Sequence, residues 1–221
     1  MPIVFDLGAV VFRWQPQVLL SSVLPQRAPT PEAAGPLVRA FFQDFLGDWG
    51  EFDRGSVDVP ELVRRLSART GLTPQEVQRV VQAVPDELQP IEGTVALIER
   101  LREAGQVLYY LSNMPAPYAA HLETAHPFEH WFRGGVFSSR VGVIKPEPAI
   151  FAIAQQRLGL DPATTLFIDD ALRNVEAAQA QGWQALRFES PEQLAHALQA
   201  GGWLRPLSAG GCAPGATGAP S

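Results

Sequence analysis

The chain has one cysteine, one lysine and two asparagines among its 221 residues. Cys212, alone in a Gly/Ala/Pro-rich stretch, excludes an internal disulfide and a thiolate metal site. Apolar runs of the ~20 residues that cross a bilayer are also missing, and Met1–Phe5 reaches Asp6 before a signal-like segment can form. A cytoplasmic protein without a membrane partner is expected. Basic clusters are absent: none exceeds Arg64-Arg65, and 17 Lys+Arg against 23 Asp+Glu give a net charge of −6. That balance lacks the electrostatic footprint of a nucleic-acid binder.

What remains is a globular composition, 46% hydrophobic and 18% charged, long enough for one core domain and a smaller module. Arginine supplies nearly all of the positive charge, so the lone Lys145 stands out. A guanidinium is larger and planar, and does not replace an ammonium that must sit compactly against an anion. Asn113 and Asn174 stand out for the same reason.

Pro2-Ile3-Val4-Phe5-Asp6 is a short apolar run closing on a carboxylate, the pattern of a buried strand with an acid at its C-terminal end. The pattern returns in Val107–Leu111, followed by Ser112-Asn113, and in Thr165–Ile168, followed by Asp169-Asp170. Helical spacing links Val95, Ile98 and Leu101, and again Ile150, Phe151, Ala154 and Leu158, with Gly105, Gly159 and Gly182 placed as C-terminal caps. Alternating strands and helices predict a Rossmann-like α/β fold with a parallel sheet. From Arg13 to Pro90 the alternation stops, and helical stretches are expected near 35–46, 59–70 and 74–84, the last capped by Thr73 and broken at Pro85-Asp86. The expected organisation is a core of residues 1–13 plus 91–206, an inserted all-helical module at 14–90, and a disordered Gly/Ala/Pro tail at 207–221.

In an open parallel sheet, ligands bind outside the carboxyl ends of the strands. That edge gathers Asp6, Ser112, Asn113, Asp169 and Asp170, and Lys145 lies in a loop before a helix that can reach it. Crowded carboxylates repel unless a cation sits among them, and Mg²⁺ with oxygen ligands answers that need. A metal, a lysine, a hydroxyl and backbone N–H groups together suit a phosphoryl group.

The four blocks Asp6-Leu7-Gly8-Ala9-Val10, Leu111-Ser112-Asn113, Lys145-Pro146 and Ile168-Asp169-Asp170, in this order, resemble the haloacid dehalogenase superfamily of hydrolases over roughly residues 2–201. The first block and the helical insert look most like its small phosphatases with an all-helical cap. The resemblance implies an aspartyl-phosphate formed on Asp6. It places Mg²⁺ on Asp6, Asp170 and the Gly8 carbonyl, with Asp169 acting on a metal-bound water or on Lys145. Ser112 and the Asn113 backbone N–H would hold phosphoryl oxygens, Lys145 would neutralise nucleophile and phosphate, and Asn174 would brace the metal loop. The partner implied is a small phosphorylated metabolite, and the protein a monomer or homodimer.

One position departs from the family pattern. Its phosphatases usually carry a second aspartate two residues after the nucleophile, as general acid and base, and this chain has Gly8. Such help is worth about 10²–10⁴-fold. Three readings stay open. The leaving group is a better one, as in a sugar 1-phosphate such as glucose 1-phosphate; or Asp48, Glu51 or Asp53 in the insert, or a water beside Gly8, moves the proton; or the substrate is a 2-haloacid and needs none. Against the last, dehalogenases of the family typically have an aromatic at position 8 and Ser-Asn-Gly where this chain reads Ser112-Asn113-Met114. Outside catalysis, a member without the acid would bind phosphometabolites in a regulatory role. Trp14, Phe41, Phe42, Phe45, Trp49 and Phe52 are either core or substrate pocket, and Arg54 is either solvated or a substrate contact. His126 and His130 are separated by Pro127 and do not read as a metal pair.

Overall fold

The computed structural model describes residues 1–204. The expected tail at 207–221 and the last two residues of the expected core lie outside the described residues. In chain order the elements are β1 (Pro2–Phe5), α1 (Pro16–Val23), α2 (Gly35–Phe42), α3 (Gly47–Arg54), α4 (Val59–Thr70), α5 (Pro74–Glu87), α6 (Glu92–Glu103) and β2 (Val107–Ser112). There follow α7 (Ala116–Ala125), α8 (Phe128–Trp131), β3 (Gly134–Phe137), α9 (Pro148–Leu158), β4 (Leu166–Asp169), α10 (Leu172–Ala180), β5 (Gln184–Arg187) and α11 (Pro191–Ala200).

The five strands form one parallel sheet in the order β3-β2-β1-β4-β5, a Rossmann-like α/β arrangement with the Asp6 strand in the middle. Side chains alternate between its faces. Ile3, Phe5, Leu108, Tyr110, Leu166 and Ile168 point into one buried cluster, and Val4, Tyr109, Leu111 and Phe167 into the other, against α9 and Trp183. Both faces are covered, so the strands read as continuous apolar runs rather than as alternating ones.

Helices α1 to α5 occupy the stretch between β1 and α6 without a strand among them. The chain enters and leaves this stretch through two neighbouring segments joined by backbone hydrogen bonds, Arg13 N–H to Gln89 O and Ile91 N–H to Val11 O, both 2.8 Å. Helix α5 starts with a capping box: the Thr73 hydroxyl accepts from Glu76 N–H at 3.2 Å, and Glu76 accepts from Thr73 N–H at 2.8 Å. The apolar cluster on one face of the sheet continues into these helices through Leu20, Phe42, Trp49, Leu66 and Val80.

Two local expectations are corrected. The helix foreseen at 35–46 stops at Phe42, because Gln43, Asp44 and Phe45 all take positive φ (50°, 53° and 62°) and turn the chain into α3. Helix α5 does not break at Pro85 but runs on to Glu87. Proline has no N–H for the carbonyl four residues earlier, which belongs to Val81. The Tyr118 hydroxyl donates to that carbonyl instead, at 2.8 Å, from α7.

Candidate active site

Asp6 follows β1 and stays tied to the sheet, its N–H donating to Ile168 O at 2.8 Å. Its Oδ1 accepts from Leu7 N–H at 2.7 Å and from the Lys145 ammonium at 2.9 Å. Among the described residues Oδ2 has no such partner, and Asp6 lines a cavity of about 180 Å³. Lys145 is 2% exposed and also donates to Asp169 Oδ2 at 2.6 Å, so one ammonium bridges two carboxylates.

The side chain of Asn113 fixes the lysine through its backbone. Nδ2 donates to Lys145 O at 2.9 Å and Oδ1 accepts from Lys145 N–H at 2.7 Å, a two-bond clasp that clamps the 142–147 loop onto the end of β2. On the other side of that loop, Arg54 donates to Gly142 O at 3.1 Å and forks onto Glu147. Arg54 is therefore neither simply solvated nor a lining residue of the cavity; it latches α3 to the loop that carries Lys145.

Asp169, fully buried, spends its oxygens inside the protein: on Lys145, on Ala171 N–H at 2.9 Å and on Asn174 Nδ2 at 3.0 and 3.1 Å. Asn174 thereby braces this acid from the first turn of α10. Asp170 lines the cavity beside Asp6, Gly8, Ser112, Asn113 and Lys145. All seven residues named for the site from sequence are thus at one sheet edge.

Electrostatics follow from this crowding. Burial lifts the Asp6 carboxyl to about 7; Lys145 pulls it down, and Asp169 and Asp170 push it up. Burial and then Asp169 raise Asp170. For Lys145, burial works against the charged form, but Asp169 and Asp6 outweigh it and hold the ammonium above its ordinary pKa. Carboxylate oxygens of Asp6, Asp169 and Asp170 lie within 4.8 Å of one another. Hard oxygen donors with two raised carboxyls are a donor set that fits a divalent cation such as Mg²⁺. No other group of three or more His, Cys, Asp or Glu is so placed among the described residues. His126 packs 4.9 Å from Phe12, and His130 meets Glu99 at 3.1 Å.

The position-8 glycine answers no backbone demand. A Cβ there would meet nothing within 4 Å, and the positive φ in this loop belongs to Ala9, at 60°. Across the cavity, the helical stretch contributes Trp14, Phe45, Trp49, Asp53, Val84 and Leu88, with Met114 and Tyr118 from the core. Phe41, Phe42 and Phe52 pack behind Trp49, at 5.9, 4.6 and 5.7 Å between ring centroids, so the six aromatics divide equally between lining and core. Sequence reasoning gave no site role to Val84, Leu88, Met114, Tyr118 or Arg173, or to Ala9 within the first block, all of which line the cavity.

A family profile described as haloacid dehalogenase-like hydrolase matches residues 27–182. The chain belongs to the haloacid dehalogenase-like hydrolases. A sesquiterpene phosphatase of Aspergillus oryzae is 28% identical over 186 residues, 84% of this chain and 88% of that protein. A glyceraldehyde 3-phosphate phosphatase of Methanopyrus kandleri is 29% identical over 66% of this chain and 63% of its own length. A family enzyme of Bacteroides thetaiotaomicron, solved with magnesium and inorganic phosphate, has the same fold at a TM-score of 0.68, with 20% identity over 89% of this chain and 97% of that one. This hydrolase is of phosphatase type. No helix among its described residues is long and apolar enough to cross a membrane.

Proposed function

We propose that this hydrolase cleaves phosphomonoesters with Mg²⁺ through an aspartyl-phosphate on Asp6. The observation that carries the reading is the buried Lys145 ammonium bridging Asp6 and Asp169 at the floor of the cavity, with Asp170 beside it. Asp6, Asp170 and the Gly8 carbonyl would hold the metal, and Asp169 would act from behind through Lys145. When bound, Mg²⁺ supplies positive charge that lowers the repulsion between a phosphate dianion and the carboxylates.

Oδ2 of Asp6, the oxygen without a partner among the described residues, attacks phosphorus while the ester P–O bond breaks and the alcohol oxygen leaves. Water then attacks phosphorus, the bond to Oδ2 breaks, and the carboxylate and inorganic phosphate are released. Lys145 and the Ser112 hydroxyl, with the Asn113 N–H, hold the phosphoryl oxygens as charge builds on them. Helices α1 to α5 act as a cap that keeps water from the intermediate and selects the alcohol.

For the alcohol, Gly8 favours a good leaving group such as the anomeric oxygen of a sugar 1-phosphate. The cavity wall favours a different choice. Sugar hydroxyls need several hydrogen-bond partners, whereas the cap offers the apolar Trp14, Phe45, Trp49, Val84 and Leu88 with a single polar side chain, Asp53, and the Tyr118 hydroxyl is engaged on Val81. We therefore infer an apolar alcohol, a reading the similarity to the sesquiterpene phosphatase also supports.

Phosphate release from geranyl phosphate, farnesyl phosphate, glucose 1-phosphate and p-nitrophenyl phosphate, with Mg²⁺ and with EDTA, tests the proposal. Metal-dependent turnover that favours the prenyl esters is the expected result. A preference for glucose 1-phosphate would overturn the apolar assignment. Silence on every ester, with chloride released from 2-chloropropionate, would replace the phosphatase by a dehalogenase.

A further inference from the structure

The phosphatase reading leaves a chemical gap: an alkoxide leaves poorly unless a proton reaches it, and position 8 has none to give. We propose that Asp53, carried to the cavity by α3, supplies that proton and later takes one from the hydrolytic water. This rests on the phosphatase reading and adds to it the residue that moves the proton.

Three acids of the cap are candidates, and their surroundings separate them. Asp48 is ion-paired with Arg69 at 2.9 Å and Arg65 at 3.8 Å. Glu51 meets the Ser56 hydroxyl at 2.5 Å and Arg54 at 3.5 Å. Asp53 lines the same cavity as Asp6, Gly8 and Lys145, is 4% exposed, and its carboxyl makes no hydrogen bond or ion pair among the described residues. A buried carboxyl without a partner is costly, and nothing in the packing of α3 calls for one here. Trp49 and Phe52, its neighbours on that helix, are apolar and buried.

The position of Asp53 is fixed from the core. Its carbonyl accepts from the buried Ser138 hydroxyl at 2.5 Å, and the same hydroxyl accepts from Met114 N–H at 2.9 Å. That single serine ties the acid to the loop that begins with Ser112 and Asn113. Gly55, which caps α3 at a φ of 83°, presses on the Ser139 backbone so closely that a Cβ there would lie 2.7 Å from its carbonyl oxygen.

Its protonation state suits the first step. Burial, reinforced by the charge of Asp6 and opposed by Lys145, raises the Asp53 carboxyl well above its ordinary value. The other ionisable groups around the cavity are Asp170, Arg173 and Tyr118, and the Tyr118 hydroxyl stays neutral because burial raises it too. Asp53 therefore enters as the acid. As Asp6 Oδ2 bonds to phosphorus and the ester P–O bond breaks, the Asp53 proton passes to the leaving oxygen and gives a neutral alcohol. In the second step the Asp53 carboxylate removes a proton from the water that attacks phosphorus, the P–O bond to Asp6 breaks, and Asp53 is protonated again.

The test compares p-nitrophenyl phosphate, whose anion leaves without a proton, with geranyl phosphate, whose alkoxide does not. Asp53→Asn should lose at least about 100-fold in kcat/KM on geranyl phosphate and less than about tenfold on the aryl ester. With the aryl ester it should also give a burst of p-nitrophenol followed by a slow steady state, because the intermediate forms but its water lacks a base. Adding Gly8→Asp to Asp53→Asn should restore the alkyl ester, since position 8 has open space for a side chain. Asp48→Asn should leave both rates unchanged. Equal losses on both esters, or no loss on geranyl phosphate, would overturn the assignment. Should Asp53→Asn fail to fold, the wild type decides: a difference between the two esters beyond about 1000-fold in kcat/KM would mean that no acid acts. Full activity in Asp6→Asn would instead sink the phosphatase reading itself, whatever Asp53 does.

Discussion

Asp6→Asn should make the protein inactive and, in the absence of metal, more stable. Burial lifts the Asp6 carboxyl from its ordinary 3.8 to about 7. Between these values the unfolded chain has released the proton while the folded chain keeps it, so the folded state binds more protons and loses stability as pH rises. At about 1.4 kcal/mol per pH unit, the loss sums to on the order of 4 kcal/mol by neutral pH. Asparagine is nearly the same size, keeps an oxygen for Leu7 N–H and Lys145, and has no proton to lose; Lys145 retains Asp169 as counter-ion. For a chain of this size 1 kcal/mol is about 2–4 °C, so a gain of roughly 10 °C is expected near neutral pH. Thermal unfolding in EDTA should show the two proteins together near pH 4, drawing apart up to about pH 7 and parallel beyond. A variant less stable than the wild type at about pH 8, or a difference that ignores pH, would refute the reasoning. Retained phosphate release would refute the nucleophile assignment separately.

Other outcomes follow from single contacts. Tyr118→Phe removes the only side-chain donor to Val81 O among the described residues and should cost about 1–3 kcal/mol by denaturant unfolding; adding Pro85→Ala, whose new N–H can reach that carbonyl, should recover most of it. Asn113→Ala breaks both bonds of the clasp on Lys145 and should lower kcat at least about tenfold, against a modest drop in melting temperature. Mg²⁺ at about 100 times its dissociation constant should stabilise the wild type by about 2.7 kcal/mol, and Asp6→Asn by clearly less. Equal shifts in the two proteins would take Asp6 out of the metal site.

The parts of the molecule legible in sequence are those where one demand dominates locally. Strands β1, β2 and β4 are buried on both faces, so their apolar runs ending in Asp6, Ser112 and Asp169 announce themselves. Strand β3 does not, because Gly134-Gly135-Val136-Phe137 owes one of its two glycines to a neighbour: a Cβ at Gly135 would lie 2.3 Å from the Tyr110 ring. Strand β5, Gln184-Ala185-Leu186-Arg187, is half-exposed at the sheet edge and carries no apolar run. The site was readable as a set of residue types at strand ends, yet its wiring was not. Nothing in the order of Asp48, Glu51 and Asp53 tells which acid turns inward; that depends on where Arg65, Arg69 and Ser138 arrive from distant parts of the chain. Likewise the passage of α5 through Pro85 needs a tyrosine hydroxyl from another helix, which no local rule anticipates.

Lys145 is the sole lysine of the chain and lies 2% exposed, held as an ammonium by two carboxylates. Amine-directed reagents acylate the neutral form of an accessible amine. In the folded protein that side chain is almost wholly covered. Every acylation of Lys145 therefore records a moment when the floor of the cavity came apart, and its rate is a clock for that opening, read by mass spectrometry on the unmodified polypeptide without an engineered label. Scarcity of one residue type has left the cavity carrying its own tracer.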